Sequence, residues 1–283
     1  MDKDEKYYTL ITGASSGIGK AMSEEFAQRR INLLLVSLPG TGLESLCENL
    51  SLKHKVISRF LEIDLRDRDA PEKILNFAHD ENLRINMLIN NIGIGHVGII
   101  GDFSREEINE MIMLNIHSTT HLTNLFLKEL KSYPESYILN MGSFGGYIPA
   151  PHKSIYMASK AYIYYFSCGL SYELENSSVK VSVAMPGPVT SNKKMIERIN
   201  NDGTVSRLMK LDPEQVAKYI IPRMFSGEKV IIPGRVTQAV YILGLMLPYG
   251  AVLYFMKKVF TDKKNNLGFS KFKKLKLLNS TPS

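Results

Sequence analysis

Cysteine is scarce in this sequence, and the two cysteines do not have the spacing of a metal or redox pair. Cys47 and Cys168 both lie within apolar patterns. The segment from Met1 to Lys6 is dominated by charged residues and lacks the apolar core of a secretory leader. We therefore expect both cysteines to be core residues of a cytoplasmic protein in a reducing compartment, and we expect no metal site.

Net charge is absent from most of the chain. The formal net charge is +7, and the segment from Lys257 to Ser283 accounts for all of it, with eight lysines against the single acid Asp262. The residues before this segment sum to zero. Because a nucleic-acid-binding domain needs a basic surface, we expect no nucleic-acid partner.

The stretch from Gln238 to Met256 contains no charged residue. Pro248 and Gly250 interrupt it, so two short helices are favoured over one spanning helix. We assign residues 235–260 to an apolar helical extension and 261–283 to a basic tail, for which a solvated end is the simpler alternative. Three roles remain open for the extension: a wall for an apolar substrate, a contact with another subunit, or a peripheral membrane contact through 238–276.

Short apolar runs alternate with helical patterns over residues 1–234. The predicted strands cover 7–11, 32–36, 56–63, 87–89, 138–143, 179–185 and 229–232. The predicted helices include 104–131, 154–174 and one that starts at Pro213, after the N-cap Asp212, and ends near 225. This alternation predicts an α/β domain with a doubly wound parallel sheet of about seven strands and helices on both faces. The polar segment 192–210 is interpreted as a mobile flap.

A glycine-rich turn joins the first predicted strand to the first helix. It runs Thr12-Gly13-Ala14-Ser15-Ser16-Gly17-Ile18-Gly19, with the spacing Gly-x-x-x-Gly-x-Gly. Such a turn lets backbone N–H groups and the positive end of a helix face a phosphate group. A dinucleotide site is therefore predicted, with a purely structural turn as the alternative.

The end of the second strand carries no acid. In dinucleotide folds an acidic residue there holds the ribose 2′-hydroxyl of NAD, yet none occurs between Leu33 and Leu43. This favours NADP over NAD, with Ser37 as a candidate phosphate contact. NAD stays the alternative, because the arginine that often accompanies NADP is missing as well.

Polar and small residues follow four further predicted strands. Asp64 follows the third, Asn90-Asn91-Ile92-Gly93 the fourth, Ser143 lies at the end of the fifth, and Pro186-Gly187 follow the sixth. Because ligands bind at the carboxyl ends of parallel strands, these positions are expected to lie at one edge of the sheet. Asn115 is a further candidate, since asparagine in the middle of a helix is mildly unfavourable.

Tyr156 and Lys160 are four residues apart on a predicted helix and therefore share one face. The pKa of a free phenol is about 10, and a neighbouring ammonium group lowers it toward neutral pH. The pair is thus suited to donate a proton, and the Ser143 hydroxyl could bind a substrate oxygen.

In their order and spacing, the glycine turn, Asp64, Asn90 to Gly93, Asn115, Ser143, the Tyr156–Lys160 pair and Pro186-Gly187 resemble the short-chain dehydrogenase/reductase family. The resemblance covers about residues 7–232 and implies a Rossmann-type fold with an NAD(P) cofactor. By this likeness Tyr156 protonates a carbonyl oxygen as hydride arrives, Ser143 holds that oxygen, Lys160 lowers the Tyr156 pKa and bonds the ribose, and Asn115 positions a water molecule. The implied cofactor contacts are Gly13, Ser15, Ser16, Gly17, Ile18, Gly19, Ser37, Asp64, Leu65, Asn91, Gly93, Tyr156, Lys160, Pro186, Gly187, Val189 and Thr190.

The sequence departs from the family pattern at two places. Ile92 stands where the family usually has alanine, and Ser191 stands where threonine is common, with Thr190 one position earlier. Which of these two hydroxyls meets the cofactor carboxamide is left open.

We therefore expect an NADP(H)-preferring oxidoreductase that acts on a carbonyl or secondary alcohol of a hydrophobic, lipid-like substrate. The alternative is a regulatory protein that senses NAD(P) on the same fold without turnover. More loosely, the extension resembles that of 3-ketoacyl reductases, ketosphinganine reductases and hydroxysteroid dehydrogenases. A homo-oligomer, either a dimer or a tetramer, is also expected, and the membrane alternative would place the protein on the cytoplasmic face.

Overall fold

The computed structural model describes residues 7–191, 195–197, 199 and 204–254. Its centre is a seven-stranded parallel sheet with the strand order β3-β2-β1-β4-β5-β6-β7. The strands are β1 Tyr7–Thr12, β2 Asn32–Ser37, β3 Ser58–Glu62, β4 Arg84–Asn90, β5 Ser136–Met141, β6 Val179–Ala184 and β7 Val230–Ile231. The predicted fold class is confirmed.

Helices connect the strands and cover both faces of the sheet. They are α1 Gly17–Gln28, α2 Leu43–His54, α3 Ala70–Asp80, α4 Arg105–Ile112, α5 Ser118–Ser132, α6 Ser154–Glu173, α7 Thr204–Leu208, α8 Pro213–Phe225 and α9 Arg235–Met246. One core layer packs α1, α2 and α8 on the sheet and includes Phe26 and Ile220. The other packs α3, α5 and α6 on the opposite face and includes Ile74 and Phe126. The sheet is therefore buried on both sides, as its continuous apolar strands require.

The strand order reverses between β1 and β4, because β1 connects onward to β2 on one side while β4 continues on the other. In open α/β sheets, the crevice at the carboxyl ends beside such a reversal is the usual ligand site. The glycine turn after β1 and the Asn90–Gly93 segment after β4 meet at this position.

The segment predicted as a helix over 104–131 is helical from Arg105 to Ser132, with a π turn inside it. A capping box at Ser104 starts α4, a π-helical turn occupies Met113–His117, and α5 follows directly. A π turn accommodates an extra residue within a helix, and such turns are frequent at functional sites. Part of the predicted flap, residues 192–194, 198 and 200–203, lies outside the described residues.

The helix predicted after Asp212 is confirmed as α8, with Asp212 as its N-cap and Pro213 at its first position. Helix α9 begins the apolar extension. Its inward side carries Thr237 and Tyr241, and the Tyr241 ring lies 4.5 Å from that of Tyr147 between centroids.

Residues 247–248 after α9 are not helical, and the chain is helical again over 249–254. Among the described helices, none has the length and apolar character needed to cross a membrane. Residues 255–283, which include the predicted basic tail, lie outside the described residues.

Candidate active site

The glycine turn leaves the N-terminus of α1 open to an anion. Gly13 and Gly17 have positive φ values of 64° and 53°, a backbone conformation that favours glycine. A side chain at Gly19 would place its Cβ 2.2 Å from the Gly13 carbonyl oxygen, so only glycine allows this approach. Ser16 is the N-cap of α1 without a side-chain cap bond, and the first turn carries no acid. These features fit a dinucleotide phosphate at the helix end.

Asn91 fixes the glycine turn to the end of β4. Its side-chain amide donates to the carbonyl oxygens of Thr12 at 2.9 Å and Gly13 at 3.2 Å. Its backbone N–H donates in turn to the Thr12 hydroxyl at 3.0 Å. The unusual Ile92 packs beside Gly13, where its Cδ1 atom would lie 3.2 Å from an added Cβ. Asn91 therefore shapes the turn, and Ile92 fills a neighbouring gap.

Asn115 lies on the π turn and holds the segment after β4 against α6. Its Oδ1 accepts from the Ile94 N–H at 2.8 Å, and its Nδ2 donates to the Ile94 carbonyl at 2.9 Å and to the Ser159 hydroxyl at 2.8 Å. Ser159 donates to the Tyr156 carbonyl at 2.8 Å. Ser159 was not among the predicted site residues, although its place between Tyr156 and Lys160 was a usable signal.

Lys160 is a buried cation, only 5% exposed. Its Nζ donates to the Met141 carbonyl at 2.8 Å, and burial lowers the pKa of Lys160 to about 8. A Cβ at Gly93 would lie 2.9 Å from this Nζ and 3.1 Å from Asn115 Oδ1, so Gly93 lets the backbone pass over the amine.

The ring of Tyr156 packs against the same segment two residues later. A Cβ at Gly95 would lie 2.6 Å from Tyr156 Cδ2, so this glycine admits the ring. The structure therefore brings Asn115, Tyr156, Lys160 and Gly93 together, as predicted from separate motifs.

Ser143 lies between β5 and a short turn of 3-10 helix. Its hydroxyl accepts from the Gly145 N–H at 3.2 Å, and the next residue, Phe144, donates its N–H to the Pro186 carbonyl at 2.8 Å. The Ser143 segment is thus joined to the Pro186-Gly187 loop. Both belong to the same carboxyl edge as the glycine turn.

The two hydroxyls after Pro186-Gly187 have different surroundings. Thr190 donates its hydroxyl to the Asp212 carboxylate and its N–H to the Leu211 carbonyl, while Val189 is buried and forms a bridge with Leu211. Ser191 lies against the glycine turn, with its Cβ 3.0 Å from a Cβ added at Gly17. Ser191 is therefore the hydroxyl nearer to the turn.

The predicted contacts on the adenosine side are more dispersed. Ser15 and Ser37 share a hydrogen bond of 2.7 Å, which joins the glycine turn to the end of β2. The side chain of Leu65 is buried in the core, and Ile18 packs on the opposite core layer.

Asp64 is already engaged by a neighbouring cation. Its carboxylate accepts from Arg66 Nε at 3.0 Å, and these bonds lower the Asp64 pKa. Arg66 also reaches Glu110 at 3.4 Å. Arg66 was not among the predicted site residues, although it lies only two residues after Asp64. In the described part of the chain, no group of three or more histidine, cysteine or acidic side chains could hold a metal ion.

Comparisons with known proteins agree with this geometry. The chain is 32% identical over 203 residues to a very-long-chain 3-oxoacyl-CoA reductase of Kluyveromyces lactis, a match that covers 69% of this chain and 59% of that protein. A reductase of the same name from Aspergillus oryzae is 33% identical over 222 residues, covering 77% and 62%. The chain thus matches about three fifths of the length of these relatives.

Solved structures show the same fold. A bulky-bulky ketone specific alcohol dehydrogenase from Comamonas testosteroni has a TM-score of 0.71 at 26% identity, covering 86% of this chain and 95% of that one. A short-chain dehydrogenase from Sphingobium yanoikuyae in complex with NADPH has a TM-score of 0.72 at 27% identity, covering 86% and 96%. The family model for short chain dehydrogenases matches residues 8–202, and the chain therefore belongs to the short-chain dehydrogenase family.

Proposed function

We propose that the protein is an NADP(H)-preferring oxidoreductase that interconverts a carbonyl and a secondary alcohol on a hydrophobic substrate. The observation that carries this proposal is the cluster of Lys160, Asn115, Gly93 and Tyr156 at the carboxyl edge, beside a helix end shaped for a phosphate. Burial of a cation destabilises the folded state, so a buried lysine indicates a functional role. Lys160 lies a single helical turn from the phenol of Tyr156.

The bound nicotinamide group would supply or accept the hydride. The chain's own residues handle the oxygen and its proton. Tyr156 donates the proton to the substrate oxygen in reduction and removes it in oxidation, while the Ser143 hydroxyl donates a hydrogen bond to that oxygen. Lys160, whose pKa burial lowers to about 8, is still mostly protonated at neutral pH and lowers the pKa of the phenol.

Gly13, Gly17, Gly19 and Ser191 would surround the pyrophosphate and nicotinamide end of the cofactor. Ser15 and Ser37 would meet the adenosine ribose. The NADP preference is supported by the lack of an acid on β2, by these hydroxyls, and by the NADPH bound in the Sphingobium yanoikuyae structure.

The hydrophobic substrate class is supported by two similar proteins, a very-long-chain 3-oxoacyl-CoA reductase and a bulky-bulky ketone specific alcohol dehydrogenase. It is also supported by the position of α9. The Thr237 Oγ1 atom of this helix would lie 3.0 Å from a Cβ at Gly187, so the apolar extension starts directly beside the Pro186-Gly187 loop.

We further propose that the extension contacts an anionic lipid surface. Helix α9 exposes Ile242, Leu245 and Met246, and the eight lysines from Lys257 onward follow in the sequence. Exposed apolar side chains beside a lysine-rich segment are the combination that holds a peripheral protein on acidic lipids. A homo-oligomer remains part of the proposal as well.

The test of the catalytic assignment is Tyr156→Phe. The variant should still change the fluorescence of NADPH on binding as the parent does, because the ring that packs on Gly95 is retained, but turnover of a reducible ketone should fall about 10²–10⁴-fold. Turnover is measured as NADPH oxidation with a panel of ketones that differ in chain length and ring content, including 3-oxoacyl thioesters and steroids.

Tyr162→Phe is the matched control, because this tyrosine lies on the same helix and its hydroxyl contacts Thr120 at 3.0 Å. Its turnover should equal that of the parent. Unchanged turnover in Tyr156→Phe would remove Tyr156 from the mechanism, and tighter binding of NADH than NADPH would overturn the cofactor preference.

A further inference from the structure

The acid that β2 lacks is brought to the same place by its neighbouring strand. Ser37, the last residue of β2, is paired in register with Glu62, the last residue of β3. The Glu62 side chain extends toward the loop after β2, where its Oε1 accepts a hydrogen bond from the Gly40 N–H at 3.2 Å. A carboxylate thus lies at the carboxyl end of β2, although none belongs to that strand.

The hydroxyls assigned to the adenosine ribose lie at the same loop. The Ser37 hydroxyl contacts that of Ser15 at 2.7 Å, and the Thr41 hydroxyl lies 3.4 Å from it. Gly40 and Gly42 both have φ of +74°, a backbone conformation that favours glycine and turns the loop sharply. In dinucleotide folds this loop faces the ribose 2′-position.

Glu62 also differs from the neighbouring acid Asp64. Asp64 is held by the Arg66 guanidinium, whereas within the described ranges no lysine or arginine forms an ion pair with Glu62. Among the residues that the structure describes, the Glu62 carboxylate thus has a hydrogen bond from Gly40 but no ion-pair partner, and its negative charge acts on whatever occupies the loop.

We propose that Glu62 is a cofactor-specificity residue that reduces the preference for NADP(H) over NAD(H). Its carboxylate accepts a hydrogen bond from the 2′-hydroxyl of NAD(H) and repels the 2′-phosphate of NADP(H). The protein accordingly binds both cofactors. Its preference for NADP(H) over NAD(H) is smaller than the lack of an acid on β2 would produce by itself. This inference rests on the proposed use of a nicotinamide dinucleotide.

Glu62→Gln isolates the charge. Glutamine keeps an oxygen that can accept from the Gly40 N–H, so the loop geometry is retained while the carboxylate charge is lost. The dissociation constants of NADPH and NADH are measured by titrating the fluorescence of the reduced nicotinamide, at low and high salt. Because the site is exposed and screened, the NADPH constant should fall about threefold to tenfold, and the NADH constant should stay equal or rise.

Glu44→Gln is the matched control, because Glu44 is an exposed acid in the first turn of α2, just after the same loop. It removes the same net charge and should leave the ratio of the two constants unchanged. The Glu62→Gln effect should shrink at high salt, as expected for an exposed charge.

An equal ratio in the parent and in Glu62→Gln, or an equal shift in Glu44→Gln, would overturn the role of Glu62 while leaving the proposed reaction intact. A parent protein that binds neither dinucleotide would instead overturn the proposed function, and this inference with it.

Discussion

Lys160 and helix α9 depart from the usual rule of burial in opposite directions. Lys160 is a charged side chain only 5% exposed, while Leu245 and Met246 on α9 are apolar side chains 67% and 77% exposed. Neither arrangement is expected to favour the folded state, since a buried charge loses hydration and an exposed apolar side chain gains no transfer free energy.

The two regions also differ in how much of their surroundings is fixed. At Lys160 the surroundings are fixed: Met141 accepts its hydrogen bond, and the Gly93 backbone approaches it closely. At α9 only the inward side is fixed, through Thr237 and Tyr241. The first arrangement is expected of the proposed reaction site, and the second of the proposed lipid contact.

Replacing the buried cation should give the largest effect, in opposite directions for activity and stability. Lys160→Met should reduce turnover about 10²–10⁴-fold, because the charge proposed to assist proton transfer by Tyr156 is lost. At neutral pH the free energy of unfolding of the same variant should be higher than that of the parent by up to about 3 kcal/mol. The reason is that a methionine of similar length is buried without a charge.

The pH dependence supplies the sign of this effect. In the folded protein burial lowers the Lys160 pKa to about 8, from its ordinary value of 10.5. Below pH 8 both states carry the proton, so the folded state bears the full desolvation penalty. Between these two values the unfolded state binds more protons, so the free energy of unfolding should rise with pH.

Urea unfolding of the parent and of Lys160→Met across pH 7 to about 11 should therefore converge as pH rises. Lys128→Met, which replaces an exposed lysine on α5, is the control and should run parallel to the parent. A constant difference between the parent and Lys160→Met over this range would contradict a depressed Lys160 pKa.

Changing the exposed side of α9 should give an intermediate effect, confined to lipid binding. The triple variant Ile242→Gln, Leu245→Gln, Met246→Gln should weaken association with vesicles of phosphatidylserine and phosphatidylcholine at least about tenfold, because three apolar side chains no longer enter the bilayer surface. Co-sedimentation measures this association, and added salt should weaken it in the parent because the lysines contribute.

Leu52→Gln is the matched control, since Leu52 is 81% exposed on α2. It should bind vesicles like the parent, and both variants should unfold as the parent does. If the triple variant instead dissociates an oligomer, α9 is a subunit contact. If it raises only the KM for long-chain substrates, α9 is a wall of the substrate site.

The fold was predictable because its signals are local. Each strand is a short apolar run, and the motif residues follow the strands directly, so the carboxyl edge could be drawn from the sequence. The π turn inside the helix predicted over 104–131 was not predictable. A π turn adds one residue to a helix without changing its composition, and here it is stabilised by Asn115 contacts with Ile94 and Ser159 from other elements.

The same limit applies to the site. The Tyr156–Lys160 pair follows from helical spacing, but the bond from Lys160 to the Met141 carbonyl joins two elements and depends on the packing of α6 against β5. The sequence pattern can indicate an acid near Ser37 only within β2 and the loop that follows it. Glu62 lies 25 residues later and reaches Ser37 only through strand register, which the sequence does not display.

The smallest effect is expected where α9 begins. Thr237 is fully buried, and within the described chain its Oγ1 has no hydrogen-bond partner. Thr237→Val keeps the shape and removes an unpaired polar atom, so the free energy of unfolding should stay equal or rise by less than about 1 kcal/mol. Thr237→Ser, which keeps the hydroxyl and leaves a methyl-sized void, should instead lower it by about 1 kcal/mol. A destabilised valine variant would show that the hydroxyl has a partner, such as a bound water. A valine variant with unchanged stability and lower turnover would show that the hydroxyl acts on the loop at Gly187. In that case α9 and the proposed active site would be coupled.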